Sequence, residues 1–156
     1  MRFGRLVMAA AGLIVFVLLV GCTTSQPSES TTATKDPGGT LEGTSWTCMT
    51  YTVGGTPQTV PVESTITAEF SAEGELTGNA GVNSYSTTYE TDGGNLTISD
   101  EIATTLMAGP ESVMKQESDY LTTLKTVESY QIDDKNGQLV LFGPAQNNIA
   151  RYTPAQ

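Results

Sequence analysis

Phe70-Ser71-Ala72-Glu73-Gly74-Glu75-Leu76-Thr77-Gly78-Asn79-Ala80-Gly81-Val82-Asn83-Ser84-Tyr85-Ser86-Thr87-Thr88-Tyr89 is the stretch whose reading decides the fold. Ser71–Gly74 reads as a turn, Glu75–Asn79 as one strand and Val82–Tyr89 as the next. Between the strands lies a compact group of Gly and Asn. Gly78 and Gly81 permit positive φ or close backbone approach. Asn79 and Asn83 suit turn geometry and can bond to neighbouring backbone. Two readings stand. In the first, the group is a β-bulge or tight inter-strand corner, with Gly78 and Gly81 as structural glycines. In the second it is a polar recognition edge, with Asn79, Asn83 and Tyr85 facing a ligand. A phosphate loop is disfavoured, since no Lys follows and no helix begins there.

On the N-terminal side, Thr65–Phe70 alternates, with Ile66, Ala68 and Phe70 inward. Thr44–Thr52 reads as the first strand, Trp46 and Cys48 on one face, Met49 and Tyr51 on the other; Gly54-Gly55-Thr56-Pro57 breaks it. On the C-terminal side, Asp92-Gly93-Gly94 turns the chain into Asn95–Ser99, with Leu96 and Ile98 inward. Pro110-Glu111 opens a helix, Pro being tolerated in the first turn and the acid complementing the dipole. Val113, Met114, Glu117, Tyr120, Leu121, Leu124 and Val127 carry its spacing to about Thr126. Ser129–Asp133 and Gln138–Phe142 flank an Asn136-Gly137 hairpin pair, and Asn148–Thr153 closes the domain. About eight short strands with one inserted helix make a mainly β fold, an antiparallel barrel or sandwich. Closure of the sheet would remove its exposed edges.

The first forty residues have another character. Arg2 and Arg5 precede an apolar run, Leu6–Val20, that ends in Gly21-Cys22. Residues 1–21 are read as an export signal of lipoprotein type, with Cys22 taking the lipid and becoming the mature N-terminus. The alternative is an uncleaved membrane anchor, for which the run is at the short end of the roughly 17–25 residues needed. Either way the partner at this end is the membrane and the domain lies outside. Residues 22–40 are rich in Ser, Thr, Pro and Gly and are read as a disordered tether. At full stretch they reach about 60 Å, and as a coil about 25 Å. The domain is assigned to residues 41–156.

That domain carries four Lys/Arg against fifteen Asp/Glu, within a chain of formal charge −10. Nucleic acid is excluded as a partner, because phosphates need Lys/Arg. A solvated acidic surface or a cationic partner remains. The chain has no His, which removes the usual general base and the commonest metal ligand. With Cys22 given to lipid, Cys48 has no cysteine to pair with and reads as a small core residue beside Trp46.

The domain resembles the META domain of HslJ-type heat-shock lipoproteins. The similarity lies in Leu41-Glu42-Gly43-Thr44-Ser45-Trp46, Phe70–Gly74, Gly78–Tyr85, Ala103–Ala108, Gln116-Glu117, Tyr120–Leu124 and Leu139–Phe142. It implies a lipocalin-like antiparallel barrel with a helix, in envelope or secreted proteins associated with stress and drug tolerance, and no established reaction. Many members carry Cys where this chain has Val82 and a second where it has Gly109. Their joint absence here is what is expected if the two positions pair in the relatives.

No constellation points to catalysis. Asp133–Gly137 lacks calcium-loop spacing, and Lys115, Lys125 and Lys135 have no apolar setting to lower their pKa. Glu117 reads as a cap or as a partner for backbone or Arg151. The expectation is a non-enzymatic, monomeric, lipid-anchored envelope module, with no cofactor or metal and with a protein, glycan or small amphiphile as partner. The alternative is an acidic inhibitor of a cationic envelope-attacking enzyme.

Overall fold

The computed structural model describes residues 38–156. The signal, Cys22 and the tether up to residue 37 lie outside the described residues. The strands are β1 (Thr44–Val53), β2 (Thr56–Thr59), β3 (Thr67–Phe70), β4 (Glu75–Asn79), β5 (Ser84–Asp92), β6 (Asn95–Ile98), β7 (Ala103–Thr104), β8 (Ser129–Ile132), β9 (Leu139–Phe142) and β10 (Asn148–Pro154). Helix α1 (Glu111–Leu124) lies between β7 and β8, and a 3-10 turn, Pro144–Gln146, precedes β10. The sheet runs β10-β9-β8-β6-β5-β4-β3-β1, and β10 pairs with β1 to close it. This is an eight-stranded antiparallel barrel with one inserted helix. Outside the ring, β2 pairs with β1 and β7 with β5.

Alternation buries one face of each strand. Ile66, Ala68, Phe70, Leu96 and Ile98 are buried as their spacing predicts, and Leu76, Leu139 and Leu141 are buried as well. Full burial of each Leu or Ile side chain contributes roughly 1.5–3 kcal/mol. Aromatic rings thicken the core, Phe70 meeting Tyr89 edge to face at 5.0 Å.

Strand β1 departs from simple alternation. Its register against β10 shifts between Cys48 and Thr50, so Met49 is the extra residue of a bulge. The parity changes there: Trp46, Cys48 and Tyr51 are all buried, while Met49 is exposed. The expectation that Tyr51 shares a face with Met49 is corrected by this bulge. Gly54-Gly55 joins two strands as well as ending the first. Both glycines have positive φ, and Val53 pairs with Thr56 across them, as in a two-residue hairpin that opens β2. The turn after β8 is wider than its Asn-Gly pair suggests. Gly137, at φ +64, donates its N–H to the Asp133 carbonyl, and six residues separate Ile132 from its partner Leu139.

Packing against the barrel extends N-terminal to residue 41. Gly38 and Gly39 lie against Ile132, and the Tyr130 hydroxyl donates to the Gly39 carbonyl at 3.2 Å. Gly38–Thr40, read as the end of the tether, therefore pack on β8.

Candidate functional site

The Gly/Asn segment turns out to be an internal junction. A Cβ at Gly78 would stand 2.1 Å from the Thr67 carbonyl oxygen, so β3 and β4 approach too closely for any side chain there. Gly81 has φ +137, and a Cβ would meet Val113 at 2.9 Å and Gln116 at 3.0 Å, both on α1. Asn79 accepts the Gly81 N–H through Oδ1 at 2.8 Å, an Asx-type turn. Asn83 is 2 % exposed and uses its whole side-chain amide. Its Nδ2 donates to Glu117 Oε1 at 2.8 Å and to the Met107 carbonyl at 3.2 Å. Its Oδ1 accepts from the Met107 N–H at 2.7 Å and the Thr105 hydroxyl at 2.8 Å.

Glu117, buried on α1, completes the junction. Its Oε2 accepts the backbone N–H of Asn83 at 2.8 Å and of Val82 at 3.3 Å. These two N–H groups turn toward the helix, so β5 starts at Ser84 rather than at Val82. Of the two sequence readings of Glu117, the backbone one holds; Arg151 is exposed on β10. Tyr85 is also buried, its hydroxyl donating to the Thr67 carbonyl at 2.9 Å. The expected recognition edge is thereby corrected at Asn83 and Tyr85, while Asn79 is half-buried. Asn83 and Tyr85 spend their polar atoms inside the protein, because the corner needs them to satisfy buried backbone.

The barrel interior is filled rather than hollow. Tyr120 projects from α1 and is fully buried, as is Tyr152 of β10. Their hydroxyls lie 3.1 Å apart, and Tyr120 is 3.1 Å from Tyr85. Because the Thr67 carbonyl can only accept, the chain of hydroxyls runs one way, from Tyr152 through Tyr120 and Tyr85 to Thr67. Burial raises all three phenols above their ordinary range. Burial likewise pushes the Cys48 thiol up to about 12, so at neutral pH it is an inert core thiol.

A small concavity of about 290 Å³ lies between Ser84–Ser86 and Ala103–Thr105, and two larger ones lie beside hairpin β1–β2 and α1. One lobe, about 550 Å³, lies between Thr52–Gly55, the C-terminal half of α1 and the 3-10 turn. The other, about 450 Å³, is bordered by β2 and the N-terminal half of α1, with Tyr51, Gln58, Ser112, Lys115 and Gln116 around it. Val53 and Asp119 border both lobes. Lys115 Nζ lies 2.5 Å from Asp119 Oδ2, one helical turn away, which leaves this stretch near neutral. At the rim of the larger lobe, Ala145 and Gln146 hold left-handed backbone, φ 59 and 57, a conformation that costs a non-glycine residue roughly 1–2 kcal/mol.

Two side chains that line the smaller lobe each carry a polar atom without a protein partner. Gln116 is 5 % exposed; its Nε2 donates to Ser64 Oγ at 2.6 Å and to the Ala80 carbonyl at 3.4 Å, while its Oε1 is buried without a partner. The Tyr51 ring is buried against Tyr120, centroids 6.2 Å apart, and its hydroxyl makes no hydrogen bond to the described residues. Burial, and then the charge of Asp119, raises this phenol. Sequence reasoning missed these residues. Tyr51 was hidden by the bulge, whereas Gln116 was legible as a polar residue beside Glu117 on the apolar face of the helix. Among the described residues no group of three or more His, Cys, Asp or Glu is placed to hold a metal ion.

Comparison with known proteins agrees with this architecture. The barrel superposes on the NMR structure of a protein from Burkholderia xenovorans with TM-score 0.63 at 22 % identity, covering 74 % of this chain and 84 % of that one. A crystal structure of a DUF4847 family protein from Bacteroides vulgatus aligns with TM-score 0.48 at 15 % identity, over 72 % of this chain and 93 % of that one. No curated protein matches the sequence. The META domain model matches residues 39–156, from the first glycines packed on β8 to the C-terminus, and the chain belongs to the META domain family.

Proposed function

We propose that this protein is a lipid-anchored, extracytoplasmic binding module that works without turnover and supports the envelope under stress or drug challenge. The observation that carries the anchor is the sequence Arg2, Arg5, an apolar Leu6–Val20 and then Gly21-Cys22. The binding role is supported by the filled barrel, which leaves the outer surface and the groove beside α1 as the places where a partner can touch. In cells fed labelled palmitate, wild-type protein is expected to carry label. Cys22→Ala should lose it and accumulate as a longer precursor. Labelled Cys22→Ala protein would overturn the assignment.

A second reading is favoured by the way charge is distributed. The outer face of β3–β5 carries Glu69, Glu75 and Glu90, with Glu73 in the adjoining turn and Glu42 hydrogen-bonded to Thr91. In the domain the cations sit elsewhere: Lys115 on α1, Lys125 at its end, Lys135 in the β8–β9 turn and Arg151 on β10. Such a face suits a cationic partner, as an inhibitor of a basic envelope-attacking enzyme would need. Immobilised protein should then retain a cationic lysozyme at about 0.05 M salt and release it by about 0.5 M. Retention indifferent to salt, or none at all, would count against it.

A further inference from the structure

We propose that the groove between β2 and α1 is a binding site for neutral carbohydrate, reached by the Tyr51 and Ser112 hydroxyls. The inference deepens the reading of the domain as a binding module by assigning it a site and a ligand class. At about 450 Å³ the groove falls in the range of small-molecule sites, roughly 300–1,000 Å³. Its polar groups are of both kinds. The Tyr51 and Ser112 hydroxyls can donate and accept, and Gln58 adds an amide, one acceptor oxygen and one donor nitrogen, at the β2 wall.

The other ligand classes fit less well. Asp119 is already neutralised by Lys115, which weakens its hold on a free cation. An anion would meet a domain rich in carboxylates. An apolar ligand would bury the Tyr51 hydroxyl unpaired, at the cost that polar burial carries. An extended peptide adding to the free side of β2 would find Pro57, which has no N–H to offer. Hydroxyl groups, each both donor and acceptor, match a mixed and nearly neutral lining. The neighbouring lobe, rich in Thr and sharing Val53 and Asp119, extends the groove for a linear chain of sugars.

The test is titration of the full-length chain in detergent micelles with two neutral probes, the β-1,4-linked tetramer of N-acetylglucosamine and maltotetraose, and with tetralysine as the charged control. At least one sugar is expected to bind saturably. Tyr51→Phe keeps the ring and its contact with Tyr120 and removes only an unpartnered hydroxyl, so its Tm should match the wild type while affinity falls about tenfold. Ser112→Ala, in the exposed first turn of α1, gives a second variant without a core change. The assignment is overturned if neither sugar binds, if only tetralysine binds, or if both variants bind sugar as the wild type does. Recovery of the bound sugar in shortened form would uphold the site and overturn the non-catalytic reading, and palmitate labelling at Cys22 is independent of every one of these results.

Discussion

Glu117→Ala is expected to destabilise the domain by about 4 kcal/mol and to lower its Tm by roughly 15 °C. The carboxylate accepts three N–H groups, from the Val82 backbone, the Asn83 backbone and Asn83 Nδ2. Hydrogen bonds to charged groups contribute about 1.5–3 kcal/mol each. Truncation leaves those donors buried or half-buried at a corner where water enters poorly, and the residue itself is buried. A domain of this size has a total stability of roughly 5–15 kcal/mol. Glu117→Gln should fall in between. Its single carbonyl oxygen can serve the two backbone groups, but its Nε2 then faces Asn83 Nδ2, donor against donor. Asn83 cannot flip to relieve this, because Oδ1 is held by Met107 and Thr105. Chemical denaturation of the two variants checks the order. A loss below about 1 kcal/mol for Glu117→Ala would show that solvent replaces the carboxylate and that the junction does not depend on it. A double-mutant cycle with Asn83→Ala should reveal coupling of at least about 1 kcal/mol, since the two side chains share one bond network.

This junction marks the limit of what the sequence made legible. A mainly β fold, most strand positions and the inserted helix followed from period-two runs, Gly-rich turns and one stretch of helical spacing, all of them local signals, while the choice of a barrel over a sandwich rested on the family resemblance. The inward positions of β3 and β6 followed from the same local signals. The bulge at Met49 did not, because Cys48-Met49-Thr50 offers no Gly or Pro to announce it, and the register shift exists only relative to β10. Tyr51 was therefore placed on the wrong face, and with it the groove was lost. Asn83 was noticed for its turn chemistry, but its partners, Glu117 and Met107, lie 34 and 24 residues away along the chain. Short-range reading could identify it as special but not say whether it faced a ligand or the core. Glu117 and Gln116 held the clue: two adjacent long polar side chains on the buried face of a helix must find polar partners across the packing interface.

Replacing Val82 and Gly109 together by Cys is expected to form a disulfide and to stabilise the domain by roughly 3 kcal/mol. A Cβ built at Gly109 stands 3.3 Å from the Val82 Cβ, close to the roughly 3.5–4.5 Å of disulfide-linked pairs. The same Cβ stands only 2.3 Å from Val82 Cγ2, so the Val82 isopropyl group fills the room a side chain at 109 would need. The two positions are thus complementary in two ways, as Val with Gly or as Cys with Cys. Mixed states should fail: Gly109→Ala or Gly109→Cys alone forces Val82 to move and should cost about 1–3 kcal/mol, as overpacking does. Gly109 does not have left-handed φ, so its backbone accepts a side chain once Val82 gives way. This geometry fits the expectation, drawn from the family resemblance, that cysteines at these two positions would pair. The cross-link would join the corner before β5 to the segment before α1, the two pieces that Asn83 already clips together through Met107. Its effect falls mainly on the unfolded chain, by closing the loop from 82 to 109. Because the Val82 N–H is itself a donor to Glu117, the gain and the Glu117→Ala loss are expected to couple rather than simply add. Loss of free thiol at those two positions, with Cys48 still reduced, followed by a raised Tm that reverts under reductant, is the expected observation. A double variant that stays reduced in air, or that oxidises without gain, would show that the two segments are held farther apart or under strain.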